Sequence, residues 1–440
     1  MKEQRWLRII PVALIMYTIS YIDRTNISLA LDPSISTMMK DLFMDDKMKG
    51  HAAGIFFLGY VLLQIPGGHL ANRWSAKKLV SILLVFWGIC AVGCGLVKTF
   101  QQFEIMRFML GVAESGVYPA TLVLLSCWFP RAERARANAY FNLCMPLAVA
   151  GSAPITSMLL KGWNGTSFAA STGWANWQAT LIIEGALPFV WLPIWLYFIS
   201  DRPRDAKWIS AEEREHLETT LEHEATSGQP VKPGPFWEIF KQRTVFVMMA
   251  IYFLQNCAAY GCNTFLTSSF DSSKIKFTGV ERGFLFAVPY LVTAVVMVLN
   301  SWHSDKTQER RGHCALVYTV SGICLIGSVL VSGYSFWLSF AFLCLAIPGP
   351  FASLAPFWAN VSETIPRAYL GAVMGLVNAI GNLGGHYGNV IAGWLKQTTG
   401  GSITASFIAL GSGLLAAALL CALLPKATPA VPALRKLAEQ

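Results

Sequence analysis

The sequence is 440 residues long; 54% of its residues are hydrophobic and only 13% are charged. A soluble protein carries about 25% charged residues. The net charge of +9 comes from short basic clusters between long apolar segments, a pattern typical of membrane topology rather than of a nucleic-acid-binding surface. The composition therefore argues against a soluble globular protein and predicts a polytopic membrane protein that does not bind nucleic acid.

The ten cysteines lie almost entirely within the apolar segments. The sequence contains neither a pair of CxxC motifs nor a set of His and Cys at metal-ligand spacing. A GxSxG motif is also missing, so the sequence gives no support to an enzyme. We expect no metal and no cofactor.

Twelve segments are long and apolar enough to cross a membrane, which takes about 20 residues each. The tenth contains Pro348, Pro350 and Pro356, which predict breaks in its helix. The predicted spans are approximately residues 7–31, 52–71, 79–98, 103–128, 136–160, 178–200, 244–270, 283–302, 313–333, 336–361, 371–394 and 403–424.

Basic residues are concentrated in the connections that follow even-numbered spans, which all lie on one side of the membrane. By the positive-inside rule that side is cytoplasmic, and an even number of spans places both termini there. The sequence therefore predicts a multi-pass membrane protein with both termini in the cytoplasm. The residues behind this assignment are Arg73, Lys77, Lys78, Arg131, Arg134, Arg136, Lys306, Arg310 and Arg311.

A charged and polar segment, residues 201–243, separates the first six spans from the last six. Within it, residues 210–224 show the pattern of an amphipathic surface helix that begins at Ser210 with acidic residues in its first turn. The predicted organisation is an N-terminal six-helix bundle (1–200), a cytoplasmic linker (201–243), a C-terminal six-helix bundle (244–426) and a cytoplasmic tail (427–440).

The two halves share a short loop motif. Residues 68–78 read GHLANRWSAKK after the second span, and residues 301–311 read SWHSDKTQERR after the eighth. In both, a small residue is followed by Asn or Asp four positions later, then by a basic residue, and then by a basic pair, at a constant offset of 233 residues. Matching loops in matching halves indicate a duplicated membrane protein.

The first of these loops resembles the short-loop signature of the major facilitator superfamily. Further segments resemble its anion:cation symporter family, which includes bacterial carriers of hexonates, tartrate, phthalate and hydroxyphenylacetate. The resemblance implies an all-α membrane protein with 12 transmembrane helices in two pseudo-symmetric six-helix bundles, and proton-coupled uptake of a small organic carboxylate by alternating access. The segments are YIDRTN (21–26), QIPGG (64–68), RFMLGVAE (107–114), WFPR (128–131) and NAIGNLGG (378–385).

The first loop departs from the family signature at two positions, where Asn72 replaces an acidic residue and Ser75 replaces a glycine. In the family these loops are thought to hold the two halves together, so the resemblance implies a weaker latch in the first half. It implies gating roles for Asn72, Arg73, Asp305, Arg310 and Arg311.

Four charged residues lie within predicted spans: Asp23 and Arg24 in the first, Arg107 and Glu114 in the fourth. Each costs about 2.5–3.5 kcal/mol at a helix centre, so such residues persist where they face water or a partner. A rise of about 1.5 Å per residue puts Asp23 and Arg107 at similar depth and Glu114 two turns deeper. We predict that Asp23 and Glu114 carry protons, that Arg107 alternates between an acid and the substrate carboxylate, and that Arg24 helps to bind substrate.

Polar and aromatic side chains within spans supply candidate substrate contacts. Amide and phenol groups facing lipid would be unfavourable, so they are expected to face the bundle interior. We predict substrate contacts for Tyr60, Asn256, Tyr260, Trp358 and Asn382. For Asn256 and Tyr260 an interhelical hydrogen bond is an equal alternative.

Three alternatives stay open at this point. The charged residues could form ion pairs that only hold helices together, because structural pairs also occupy membrane interiors. The same scaffold could exchange organic anions or export them. A non-transporting membrane nutrient sensor is a less favoured reading. For the predicted symporter the expected partners are membrane lipid, a small organic anion and protons, and the expected state is a monomer.

Overall fold

The computed structural model describes residues 4–163, 166–227, 242–272, 275–365 and 367–424. Regular structure in these residues is helical, without strands. The predicted tail (427–440) and residues 228–241 of the predicted linker lie outside the described residues.

Among the described residues, twenty α-helices follow one another along the chain. The first half contains α1 Gln4–Ala30, α2 Met38–Asp41, α3 Asp46–Leu62, α4 Gln64–Arg73, α5 Ala76–Leu96, α6 Phe100–Glu114, α7 Val117–Trp128, α8 Arg131–Trp163, α9 Ser167–Thr172, α10 Asn176–Gly185 and α11 Leu187–Phe198. The linker contains α12 Ala211–Ser227. The second half contains α13 Arg243–Phe265, α14 Gly279–Thr307, α15 Arg311–Val331, α16 Phe336–Ala346, α17 Pro348–Ala352, α18 Leu354–Thr364, α19 Arg367–Thr398 and α20 Thr404–Cys421.

Ten stretches of the described residues are helical, long and apolar enough to cross a membrane, and an eleventh is formed by α3 and α4, which meet at a bend of 44°. Helix α19, 32 residues long, corresponds to the remaining predicted span. Several predicted spans consist of two or three consecutive helices. The pairs are α3 with α4, α6 with α7 and α10 with α11; the triplet is α16 to α18.

Prolines explain where these spans are broken. A proline ring clashes with the carbonyl group four residues earlier and removes one hydrogen-bond donor. Accordingly, α3 ends four residues before Pro66, and α16 ends four residues before Pro350. Helix α8 nevertheless continues through Pro146 and Pro154. At these two breaks the position of the proline matches the end of the helix, but a proline does not by itself require a break.

Polar caps set the starts of several helices. The side chains of Asp45, Ser75 and Thr99 accept hydrogen bonds from backbone N–H groups in the first turns of α3, α5 and α6. Each cap satisfies an N–H group that has no partner inside the helix and contributes about 1 kcal/mol. Thr278 and Glu281 form a capping box at the start of α14.

The two halves meet along α3 against α19 and along α8 against α14. Within the second half α19 packs equally closely on α13, because backbone carbonyls of α13 lie directly against Gly384 and Gly388. A side chain at either glycine would collide with that backbone. Small residues of this kind allow close contact between membrane helices.

The linker helix α12 docks beside the start of α1. Arg5 donates to Glu213 of α12 at 2.8 Å and to Glu133 of α8 at 2.9 Å. Arg5 and Glu213 are both buried. We call this end of the bundle, where α1 begins, the terminal end; the opposite end, where α1 finishes, is the far end.

Candidate functional site

A buried ion pair lies between α1 and α6. Arg24 Nε donates to Glu114 Oε2 at 2.9 Å, and the two side chains are 3% and 0% exposed. Ser20, one turn earlier on the same face of α1, donates to the same carboxylate oxygen at 2.6 Å. The pair is therefore held from one helix face and screened from solvent.

Aromatic rings surround the Arg24 guanidinium. Its central carbon is 4.4 Å from the ring centre of Tyr60. Three further rings, those of Tyr17, Tyr21 and Phe56, lie between 5.2 and 5.7 Å away. A cation over such rings gains about 2 kcal/mol or more when it is desolvated. This aromatic cage, together with Glu114, compensates for the removal of Arg24 from water.

The cage lies where the two halves meet. Phe57 of α3 and Tyr260 of α13 have ring centres 4.2 Å apart, and they belong to different halves. Tyr260 also interacts electrostatically with Arg24. Any movement of one half against the other therefore changes the surroundings of Arg24.

Two polar atoms of this ion pair remain without a hydrogen-bond partner among the described residues. They are Arg24 Nη2 and Glu114 Oε1, and both are buried. Guanidinium groups bind carboxylates through two parallel N–H donors. Arg24 uses Nε for Glu114, so Nη2 is a donor left for another acceptor.

A second charged cluster lies one residue away on α1. Trp87 of α5 donates through its indole N–H to the Asp23 carboxylate. Arg107 of α6 donates to the backbone carbonyl of Asp23 at 3.1 Å. The structure thus brings Asp23 and Arg107 together, and pairs Glu114 with Arg24 rather than with Arg107.

This second cluster borders a small cavity with room for about one water molecule. The cavity lies inside the first bundle, since all of its lining residues belong to the first half. They are Asp23, Asn26, Ile27, Ala91, Cys94, Phe103, Arg107, Leu110 and Leu181. The ring of Phe56 links the two clusters, because its centre is 5.4 Å from the Arg24 guanidinium carbon and 5.2 Å from that of Arg107.

The other predicted contact residues occupy neighbouring positions in the second half. Asn256 donates to the backbone carbonyl of Tyr252 within α13 at 3.0 Å, and Asn382 donates to that of Asn378 within α19 at 2.9 Å. Trp358 packs edge-on against Tyr252 with ring centres 5.2 Å apart. Among the described residues, no hydrogen bond or ring contact joins Asn256, Asn382 or Trp358 to Arg24.

Sequence reasoning missed five residues of these clusters: Tyr17, Ser20, Tyr21, Phe56 and Trp87. The three on α1 precede Arg24 by seven, four and three residues, which is the spacing of one helical face. That spacing was a usable signal. Phe56 and Trp87 lie on other helices, and nothing in their local sequence distinguishes them from packing residues.

The two motif loops differ in their contacts. In the second, Arg310 pairs with Asp305 at 2.6 Å and with Glu363 of α18 at 3.1 Å. Arg311 donates to two backbone carbonyls beyond α20. In the first, Asn72 and Arg73 are exposed, and no ion pair of the described residues involves Arg73.

Charged groups connect the two halves at the far end. Arg282 of α14 bonds Asp32, just after α1, at 3.1 Å and Asp271 at 2.6 Å. Lys396 of α19 bonds Asp46 of α3 at 2.8 Å. The structure is therefore closed at the far end. These residues were not predicted, because the two pairs that join the halves, Arg282–Asp32 and Lys396–Asp46, connect positions 250 and 350 residues apart.

The residues so far define a multi-pass helical membrane protein with a buried charged site between two bundles. The model of the Major Facilitator Superfamily matches residues 13–389. The chain belongs to that superfamily, and it is a membrane transporter rather than an enzyme.

Relatives and solved structures agree with this assignment. The chain is 31% identical over 430 residues to a protein of Agrobacterium vitis named "Putative tartrate transporter", covering 96% of this chain and 90% of that one. It is 30% identical over 410 residues to the "Quinolone resistance transporter" of Acinetobacter baumannii, covering 89% and 88%. The crystal structure of a D-xylose–proton symporter superposes with a TM-score of 0.74 at 14% identity, covering 96% of this chain and 98% of that chain, which shows the same fold.

Proposed function

We propose that this transporter is a symporter that moves protons together with a small organic carboxylate anion. The observation that carries the proposal is the buried Arg24–Glu114 pair at the junction of the two halves, with Arg24 Nη2 still free to donate. The name of the Agrobacterium relative supports a carboxylate, since tartrate is a dicarboxylic acid.

The pair couples proton binding to anion binding through charge. An arginine guanidinium stays protonated in proteins. The buried charge of Arg24 therefore always needs an anionic partner. When Glu114 takes up a proton, that partner is lost and a substrate carboxylate replaces it. When the anion leaves, Glu114 releases its proton and pairs with Arg24 again. One bound proton thus accompanies one substrate charge.

In this proposal Arg24 takes the substrate-switching role that we predicted for Arg107 from the sequence. Arg107 and Asp23 form a second unit inside the first bundle, in which Asp23 is a further proton-binding candidate. Tyr60 and Tyr260, which lie beside Arg24, are the proposed substrate contacts nearest the charged pair. Asn256, Trp358 and Asn382 are proposed to line the remainder of the path.

We also place the transporter in the bacterial inner membrane with both termini in the cytoplasm. The basic connections Lys77–Lys78 and Arg310–Arg311 both lie at the terminal end, which supports this orientation. The far end, closed by Arg282 and Lys396, then faces outward.

Proteoliposomes test the proposal directly. Purified protein is reconstituted at internal pH 7.5, diluted into buffer at pH 6, and supplied with labelled organic acids including tartrate. Symport predicts accumulation that collapses when a protonophore removes the gradient. Uptake that is indifferent to the gradient for every acid transported would contradict it.

Efflux is the second candidate, and the quinolone resistance relative favours testing it. The same vesicles are then loaded with a fluoroquinolone or an organic acid. Export that requires protons to enter from the opposite side would indicate antiport. Movement of substrate and protons in the same direction would exclude it.

A further inference from the structure

Three titratable residues cluster at the turn between α14 and α15. His303 Nδ1 lies 2.7 Å from His313 Nε2, and His313 Nδ1 lies 2.8 Å from a Glu309 carboxylate oxygen. His303 is exposed on the last turn of α14, and the His313 side chain is 12% exposed at the start of α15. The cluster lies at the terminal end, away from the Arg24 site, and transport as proposed above does not use it.

Glu309 fixes the tautomer of His313. The Glu309 carboxylate accepts hydrogen bonds from the backbone N–H groups of Gly312 at 2.6 Å and His313 at 3.1 Å. It also accepts the Nδ1–H of His313, so that His313 Nε2 carries a lone pair. That lone pair faces His303, and only one electrophile fits between the two nitrogens.

We propose that a divalent transition-metal ion such as Zn²⁺ or Ni²⁺ binds between His303 and His313 in place of the proton they share. A carboxylate on the outer nitrogen of a ligating histidine is the usual arrangement at metal centres. Tetrahedral coordination at about 2.0–2.1 Å from each nitrogen separates the two nitrogens by roughly 3.4 Å. The exposed His303 side chain needs to move by less than about 1 Å to reach that spacing.

The site has two protein ligands, and water completes the coordination. The described residues contain no group of three or more His, Cys, Asp or Glu side chains that could hold a metal. The affinity is therefore expected to be lower than that of a structural zinc site with four protein ligands.

The cluster belongs to the second copy of the loop alone. With the offset of 233 residues, His303, Glu309 and His313 correspond to Leu70, Ala76 and Val80. A bound ion would connect the end of α14 to the start of α15. It would do so next to Arg310, which already pairs with Asp305 of the same turn. The three residues of the proposed metal site are therefore replaced by apolar residues in the first loop.

Metal titration tests the site. The full chain is purified with an affinity tag that contains no histidine, stripped with EDTA, and titrated calorimetrically with ZnCl₂ and with NiCl₂. Wild type should bind one ion per chain at pH 7.5. Absence of saturable binding at pH 7.5 would overturn the proposal.

Variants locate the ion. His303→Ala, at an exposed position, should weaken binding at least tenfold without altering the thermal melting of metal-free protein. Glu309→Gln should weaken it about 10–100-fold, as expected for a residue that orients a ligand. His69→Ala removes an exposed histidine from the first loop and should leave the affinity unchanged. Equal affinity in His303→Ala and wild type would place any bound ion elsewhere.

Discussion

Two charged clusters lie next to each other on α1 and differ in what surrounds them. Arg24 faces Glu114 and an aromatic cage at the junction of the two halves. Asp23 faces Trp87 and the neighbouring Arg107 inside the first bundle. Adjacent residues on a helix point about 100° apart, so one helix supplies both environments.

The difference shows which cluster can respond to the conformational cycle. Alternating access moves one half largely as a rigid body against the other. The partners of Asp23 all belong to one half and keep their positions in such a movement. Arg24 has Tyr260 of the second half beside it, so its surroundings change. We therefore expect Asp23 and Arg107 to influence transport less directly than Arg24 and Glu114.

The largest expected effect is that of Glu114→Gln. It removes the proton-binding group while retaining a polar side chain beside Arg24. Gradient-driven accumulation in proteoliposomes should fall to background, whereas exchange of labelled for unlabelled substrate without a gradient should persist.

Glu184→Gln is the matched control for that variant. Glu184 is also a buried carboxylate of the first half, but its partners Thr156 and Asn26 are neutral. It should keep gradient-driven accumulation. If Glu114→Gln accumulates substrate normally, Glu114 takes no part in coupling.

The next largest effect is expected from lysine substitutions of the two arginines, which should differ in how much they raise KM for the anion. Lysine keeps the charge but cannot reproduce the two-point grip of a guanidinium on a carboxylate. Arg24→Lys should raise KM for the anion at least tenfold, equivalent to about 1.4 kcal/mol. Arg107→Lys should raise KM less, because Arg107 is held by a backbone carbonyl. Initial uptake rates over a range of substrate concentrations give both values, and the opposite order would return the substrate-binding role to Arg107.

Trp87→Phe should reduce stability more than affinity. It removes one hydrogen bond to a buried carboxylate, a loss of about 1.5–3 kcal/mol. The Tm in detergent should fall, while KM for the anion should stay within about twofold. A large rise in KM without a change in Tm would show that the Asp23 cluster contacts substrate.

Phe56→Leu should have the smallest effect. It removes the ring shared by both guanidinium groups, but Arg24 keeps the rings of Tyr17, Tyr21 and Tyr60. The loss at each guanidinium is therefore expected at the low end for such contacts, about 0.5 kcal/mol. The test is a double-mutant cycle with Arg24→Lys, measured as KM. Strictly additive changes would show that the two clusters do not interact through Phe56.

The fold followed from the sequence to a large extent, because apolar segments long enough to span a membrane are a strong local signal. The superfamily could also be predicted from the sequence, because the two motif loops and their constant offset are visible there. The charged residues of the candidate site were also found, since a charge within an apolar segment is conspicuous. Their pairing was not. Depth in the membrane led us to predict that Arg107 alternates between an acid and the substrate and that Arg24 only helps to bind substrate. The structure instead pairs Glu114 with Arg24, because the direction in which each side chain points depends on helix rotation.

Contacts between distant segments could not be predicted from the sequence for a similar reason. Arg282 has an ordinary position at the start of a span, and only the tertiary structure brings it to Asp32, 250 residues earlier. The same holds for Trp87, which is one of 15 tryptophans in an apolar sequence.

The far-end ion pairs influence the relative populations of the conformations that are open and closed at that end. Opening that end separates Arg282 from Asp32 and Lys396 from Asp46, and each conformation is populated according to its free energy. A bias of about 1.4 kcal/mol changes the ratio of two populations tenfold. The Lys396–Asp46 pair is partly exposed, and added salt weakens such pairs. We therefore expect added salt on that side of the membrane to shift the empty carrier away from the conformation that is closed at the far end.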